Sequence, residues 1–285
     1  MRRYRIFHET VYRYSAPVVL GPQKLLVRPR EGHDIRIESA TLSITPMAVV
    51  KWHRDEFDNS VAIARFTEDP VDHFTVISEA VVEHYDEWPL DFMVEDYAVA
   101  YPFAYDHDEH LALSPYLRAD MSDDQPSFAD WVSRFNGNEG IETYVLLSQI
   151  SDTINLEFQY QVREEPGVQA AEQTLALGTG SCRDFAWLFM RTARRLGMAA
   201  RFVSGYLHAP ATELDYGATH AWAEIYLPGA GWKGFDPTVG RLTGSQHIPT
   251  AVSIMPESIP PISGSFTGGQ NITSELEVRV KVETF

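Results

Sequence analysis

The chain has 285 residues, 44% hydrophobic and 12% aromatic, enough for a sizeable core and, on length, about two domains. Its 23 basic residues stand against 40 acidic ones, a formal net charge of −17, which argues against nucleic acid and anionic membrane surfaces as partners. One cysteine excludes an intrachain disulfide framework and any multi-cysteine zinc or iron–sulfur site, and no apolar run approaches the roughly 20 residues of a membrane helix. The basic start Met1-Arg2-Arg3 lacks the apolar stretch of a signal peptide, so a cytoplasmic location is expected.

Residues 1 to about 110 read as β-structure. Tyr4–Tyr14 mixes aromatic and β-branched residues with polar ones. Lys24–Arg28, Ile35–Thr45, Val61–Phe66 and Phe74–Tyr85 follow, with breaks at Arg30-Glu31-Gly32, Thr45-Pro46 and Glu68-Asp69-Pro70. In Ile35-Arg36-Ile37-Glu38 the period is two, one face apolar and one polar. Short strands at this spacing predict a β-sandwich-like N-terminal domain, assigned to residues 1–115. It holds no cluster of catalytic residue types; His8, His33, His53, His73 and His84 read as strand or surface residues. His107 and His110 stand three apart in the acidic, loop-like run Asp106–His110, but a clear third ligand is missing, and neither a metal nor a cofactor is expected.

Prolines, acids and turn residues from Pro102 to Pro126 mark the boundary, and the period then becomes helical. Phe128–Val132 reads as a short helix. Ile141–Ile154 reads as a longer one, with Tyr144, Leu147, Gln149 and Ile150 on one stripe, and Ala170–Leu177 as a third. Ser181-Cys182-Arg183-Asp184 has the form of a capping box, which puts Cys182 in the first turn of a helix carrying Ala186, Phe189, Ala193 and Leu196 on one face and stopping at Gly197. A thiol there faces unpaired backbone N–H groups and the positive end of the helix dipole, which favour the thiolate. By itself a lone cysteine is more often a small buried apolar residue than a nucleophile.

Strands follow at Ala200–Leu207, Thr219–Leu227 and Gly231–Asp236, and a last one at Leu276–Val282. In Thr219–Leu227, His220, Trp222, Glu224 and Tyr226 share one face. Pro228-Gly229-Ala230 is a turn. If Leu227 pairs near Gly231, Trp222 falls opposite Asp236, and His220 becomes the diagonal neighbour of Asp236 within side-chain reach. A nucleophilic thiol needs a base, and the base an orienter; the hairpin offers His220 and Asp236 for these roles.

Gly180-Ser181-Cys182-Arg183-Asp184-Phe185-Ala186 resembles the nucleophile motif of the transglutaminase-like superfamily. Ala200–Tyr206 is similar to the strand that follows it there. His220-Ala221-Trp222-Ala223-Glu224, and Gly231-Trp232 through Phe235-Asp236-Pro237-Thr238, resemble its histidine and aspartate motifs. The motifs run in the family's order over about residues 170 to 240. The β-rich first half resembles the N-terminal region of bacterial members in layout. The resemblance implies an α+β chain whose residues 116–285 form a papain-like catalytic domain, with a Cys-bearing helix packed on an antiparallel sheet. It implies Cys182 as nucleophile, His220 as base and acid, and Asp236 as orienter, acting on a peptide or protein amide through a thioester. The oxyanion donors would be the Cys182 N–H and one of Gln159, Tyr160 or Gln169. Trp222 and Trp232 read as packing, and Gly205 as a site of close backbone approach. Hydrolysis is the leading expectation. Transfer to an amine and a non-catalytic binding module are the alternatives, and substrate and oligomeric state stay open.

Overall fold

The computed structural model describes residues 1–285 except 86, 87, 89, 119–124, 138, 139, 164 and 209–218; part of the expected boundary, 102–126, therefore lies outside the described residues. The N-terminal half is built on β1 (Arg2–Leu25), a strand of 24 residues. Tyr4, Ile6, His8 and Thr10 alternate inward along it, as a pleated strand with one buried face requires. It is followed by β2 (Ile35–Thr45), β3 (Val49–Arg54), β4 (Ser60–Arg65) and β5 (Val71–His84), in the sheet order β2-β5-β1-β4-β3. The first half of β1 lies against β5 and its second half against β4, so one long strand serves two ends of a single curled sheet. The β-sandwich-like expectation is met by this one sheet curling on itself.

A helical stretch follows: α1 (Asp96–Val99), α2 (His107–Leu113), α3 (Pro126–Asn136), α4 (Thr143–Glu157), then the short β6 (Gln159–Tyr160), α5 (Ala171–Leu177), β7 (Thr179–Gly180) and α6 (Cys182–Arg195). The segment containing His107 and His110 is thus a helix and not a loop. Two of its acids, Asp106 and Glu109, form the capping box, with Asp106 Oδ1 accepting from the Glu109 N–H at 2.8 Å. On α4 the buried stripe is Leu146, Leu147, Ile150 and Ile154; Gln149 is exposed, since two residues turn a helix by about 200° away from Leu147.

The chain then forms β8 (Ala200–Leu207), β9 (Thr219–Leu227), β10 (Gly231–Asp236), β11 (Arg241–Leu242) and β12 (His247–Ser253), an antiparallel sheet ordered β11-β10-β9-β8-β12. Helix α6 lays Phe185, Ala186, Phe189 and Ala193 on this sheet, with Phe189 stacked on Phe235 at 5.5 Å between ring centres. Each fully buried Leu, Ile or Phe here contributes about 1.5–3 kcal/mol, and α3, α4 and α6 share this one apolar cluster.

The last two strands, β13 (Ile262–Thr267) and β14 (Ser274–Thr284), return to the N-terminal sheet, where both pair with β1. Through these two strands the chain on either side of residue 115 interlocks in space. The two parts also meet side chain to backbone. β12 is an edge strand, with Pro249 lacking a donor, and its outer groups are taken by Arg30 N–H to Pro249 O (2.7 Å) and by the Asn59 amide. Tyr206 on β8 donates to Val27 O at 3.0 Å and meets His8 Nδ1 at 2.8 Å. Among the described residues no helix is long and apolar enough to cross a membrane.

Candidate active site

Cys182 is the first residue of α6, half-buried at the helix N-terminus. Asp184 builds this turn. Fully buried, its Oδ2 accepts from the Ser181 N–H (2.8 Å) and hydroxyl (2.7 Å), and its Oδ1 from the Gln169 N–H (2.7 Å) and Arg163 Nη1 (2.8 Å). Burial opposes its charge, but these donors outweigh burial and hold the carboxyl below its usual range. Arg183 reaches back to the carbonyls of Arg163 (3.1 Å) and Glu165 (2.8 Å). The capping motif therefore does more than start a helix: it fastens the preceding segment to the thiol-bearing turn.

The hairpin supplies the other two groups. Leu227 pairs with Gly231 and Ala223 with Phe235, the register set by the Pro228-Gly229-Ala230 turn. His220 Nε2 lies 2.7 Å from Asp236 Oδ2, both side chains buried, and Cys182 is close enough to the same ring to act on its charge. With Nε2 on Asp236, the nitrogen left for Cys182 is Nδ1. Burial disfavours a charge on this ring, yet the Asp236 carboxylate and the Cys182 contact overcome it and raise the His220 pKa. Burial likewise opposes the charge on Asp236, and His220 and His247 overcome it, so the carboxyl is held well below its ordinary value.

His247 was not singled out by the motifs. It stands at the start of β12, on the far edge of the sheet from β10, and no local period ties it to Asp236. Its Nε2 lies 3.0 Å from Asp236 Oδ2, and its Nδ1 accepts from the Gly244 N–H at 3.3 Å. His220, Asp236 and His247 have their ligand atoms within 4.8 Å of one another. A metal does not suit this trio as it is held: the Gly244 N–H occupies the lone pair of Nδ1, so the ring proton sits on Nε2, the atom that would have to bind the ion.

Trp222 is buried against Val203 and Val252 and lies close over the backbone of Gly205. A Cβ on Gly205 would come 2.7 Å from its ring and 2.4 Å from Ile248 O, so only glycine admits this approach, and the indole edge meets His247 at 5.2 Å between ring centres. Trp232 packs against Tyr116, Tyr226 and Arg201. Of the three expected side-chain oxyanion donors, Gln169 is committed to Thr179 O and Asp184, both at 3.2 Å. Gln159 is exposed. Tyr160 feels the charges of both Cys182 and Asp236; burial first, and these charges next, push its hydroxyl pKa up to about 12.

The model of the bacterial transglutaminase-like N-terminal region matches residues 4–83, and that of the transglutaminase-like superfamily core matches residues 133–237. The chain belongs to the transglutaminase-like superfamily. Within it, this transglutaminase-like chain is 27% identical over 297 residues to an uncharacterized protein of Mycobacterium tuberculosis (strain ATCC 25618 / H37Rv), covering 99% of this chain and 93% of the relative. An uncharacterized protein of Mycobacterium leprae (strain TN) is 32% identical over 107 residues, 36% of this chain and 37% of that one. The crystal structure of a proposed cysteine protease from Cytophaga hutchinsonii superposes with a TM-score of 0.74 at 20% identity, covering 99% of this chain and 90% of that chain. At that identity the likeness establishes the fold: a curled N-terminal sheet joined to a transglutaminase-like α+β core.

Proposed function

We propose that the protein is a thiol-dependent hydrolase of peptide or protein amides, with Cys182 as nucleophile, His220 as base and acid, and Asp236 as orienter. The observation that carries this reading is the His220 ring, which meets the Cys182 thiol on one side and Asp236 Oδ2, at 2.7 Å, on the other. A ring with a raised pKa takes the thiol proton and leaves a thiolate–imidazolium pair. Sγ then adds to the amide carbon while the carbonyl π pair moves onto oxygen. The tetrahedral oxyanion faces the Cys182 N–H at the helix start, and the protonated Tyr160 hydroxyl is the second donor. Collapse breaks the C–N bond, His220 passes its proton to the departing nitrogen, and a thioester remains. Water, giving its proton to His220, attacks the thioester carbon, and the thiol leaves with that proton returned.

The cysteine-protease activity proposed for the Cytophaga fold relative is in keeping with a peptide substrate and water as acceptor. The test is trapping of an acyl-enzyme from a peptide library, read by intact-mass analysis, with and without a primary amine. An adduct on Cys182 that water discharges is the expected result. Discharge only in the presence of amine reassigns the chain to acyl transfer, and no adduct under any condition defeats the enzymatic reading.

A further inference from the structure

Nothing in the reaction just described uses His247, yet it is buried and bonded to the carboxylate oxygen that orients His220. Asp236 has two oxygens and three close donors. Oδ1 accepts from the Thr238 N–H at 2.9 Å, while Oδ2 serves both imidazoles, at 2.7 and 3.0 Å. The Gly244 N–H on Nδ1 leaves His247 one possible neutral form, with its proton on Nε2 and aimed at Asp236. The ring is also gripped by the edge contact with Trp222, which itself rests on Gly205.

We propose that His247 is a positioning residue for the Cys182–His220–Asp236 arrangement, locking Asp236 in place and moderating its pull on the His220 proton by donating to the same carboxylate oxygen. The inference rests on the thiol-enzyme reading above. Its chemistry is that of a shared acceptor. Each donor on Oδ2 draws off negative charge, so the carboxylate holds a second donor less tightly. An imidazolium held too tightly takes the thiol proton readily but surrenders it to the leaving amine poorly, and general-acid catalysis needs both. His247 keeps Asp236 ionised and still lets His220 release its proton. The titratable groups facing His220 are Asp236 from β10, Cys182 from α6 and, through Asp236, His247 from β12. Tyr160 on β6 feels the charges of Cys182, Arg183, Asp236 and Asp184.

The position of His247 also ties together the two ends of a crossover. Asp236 ends β10 on one side of the sheet, and the chain from 237 to 246 passes over to β12 on the other. The His247–Asp236 bond closes that connection at the site itself.

The experiment uses the full chain labelled with 15N-histidine, as wild type, His247→Phe, His247→Gln and His220→Ala, with imidazole resonances followed against pH and Cys182 alkylation by iodoacetamide followed in parallel. In the wild type, neutral His247 is expected as the Nε2–H tautomer; an Nδ1–H tautomer overturns the proposal. Losing the shared donor in His247→Phe should move the His220 titration upward by about half a pH unit or more. His247→Gln, whose amide can still donate, should stay near the wild-type midpoint. An unmoved His220 in folded His247→Phe overturns the proposal; if that variant does not fold, a Gln variant that shifts as a donor loss would does so instead. His220→Ala separates the two readings. Unchanged alkylation there defeats the proposed enzyme, whereas slowed alkylation with an unmoved His220 in the His247 variants defeats only the role given to His247.

Discussion

The side-chain amide of Asn59 bonds the backbone of Val252 as a neighbouring strand would, donating to Val252 O and accepting from Val252 N–H, each at 2.8 Å. Asn59 is fully buried and also engaged by Arg30 and Asp55, so this one residue seats the N-terminal sheet on the open edge of the core sheet. Asn59→Ala would leave a buried donor and a buried acceptor unpaired. At about 1–3 kcal/mol for each such group, unfolding in urea should show a loss of roughly 2–6 kcal/mol. A loss under about 0.5 kcal/mol would mean that the amide carries no part of the docking.

The same interface should respond to acid. The Tyr206 hydroxyl donates to Val27 O, so it accepts from His8 Nδ1, and His8 Nε2 accepts from Thr10; the ring is held neutral. Burial pushes the His8 pKa from 6.5 down to about 4. The unfolded chain therefore binds the extra proton first, and this contribution to stability is lost as pH falls from about 6.5 towards 4. His220 acts in the opposite sense. Its pKa is raised, so its contribution is complete below 6.5 and is lost as pH rises through the folded value. His8→Gln should flatten the acid limb of a thermal-stability profile and leave the alkaline limb alone. An unchanged slope between pH 4 and 6.5 would contradict the neutral buried form.

Asp236 and His220 should behave as one unit. His220→Ala should nearly abolish turnover of any amide or ester the protein cleaves. Asp236→Asn should lower it by on the order of 10²–10⁴, since Asn still orients the ring but lacks the charge. The double variant should be little worse than His220→Ala. If the two losses multiply, Asp236 does not act through His220.

Gly205→Ala tests the packing beneath the site. Its Cβ would meet Ile248 O at 2.4 Å and Pro249 Cα at 2.9 Å, which are backbone atoms of β12 and cannot rotate away. The strand has to shift, at a cost of about 1–3 kcal/mol, and His247 shifts with it. The measurements are the melting temperature and the His247 resonance; a fall in the first with no change in the second would mean that β12 yields only beyond Pro249.

Much of this was legible in the chain itself. Ser181 and Asp184 lie three residues apart, so the helix start at Cys182 follows from a local rule. Leu227 meets Gly231 because a short turn fixes hairpin register, and the diagonal from His220 to Asp236 follows from that register. Such features depend on neighbours within a few residues, where chain geometry leaves few choices. What tertiary structure alone decided has long sequence separation in common. The return of β13 and β14 to β1 joins residues more than 200 positions apart, and strand periodicity states which face is buried without naming the partner. The pairing of Asn59 with Val252 and the neutral ring of His8 depend on that same closure. His247 is close in sequence to Asp236 yet reaches it only because the intervening chain crosses the end of the sheet, and no spacing rule records a crossing.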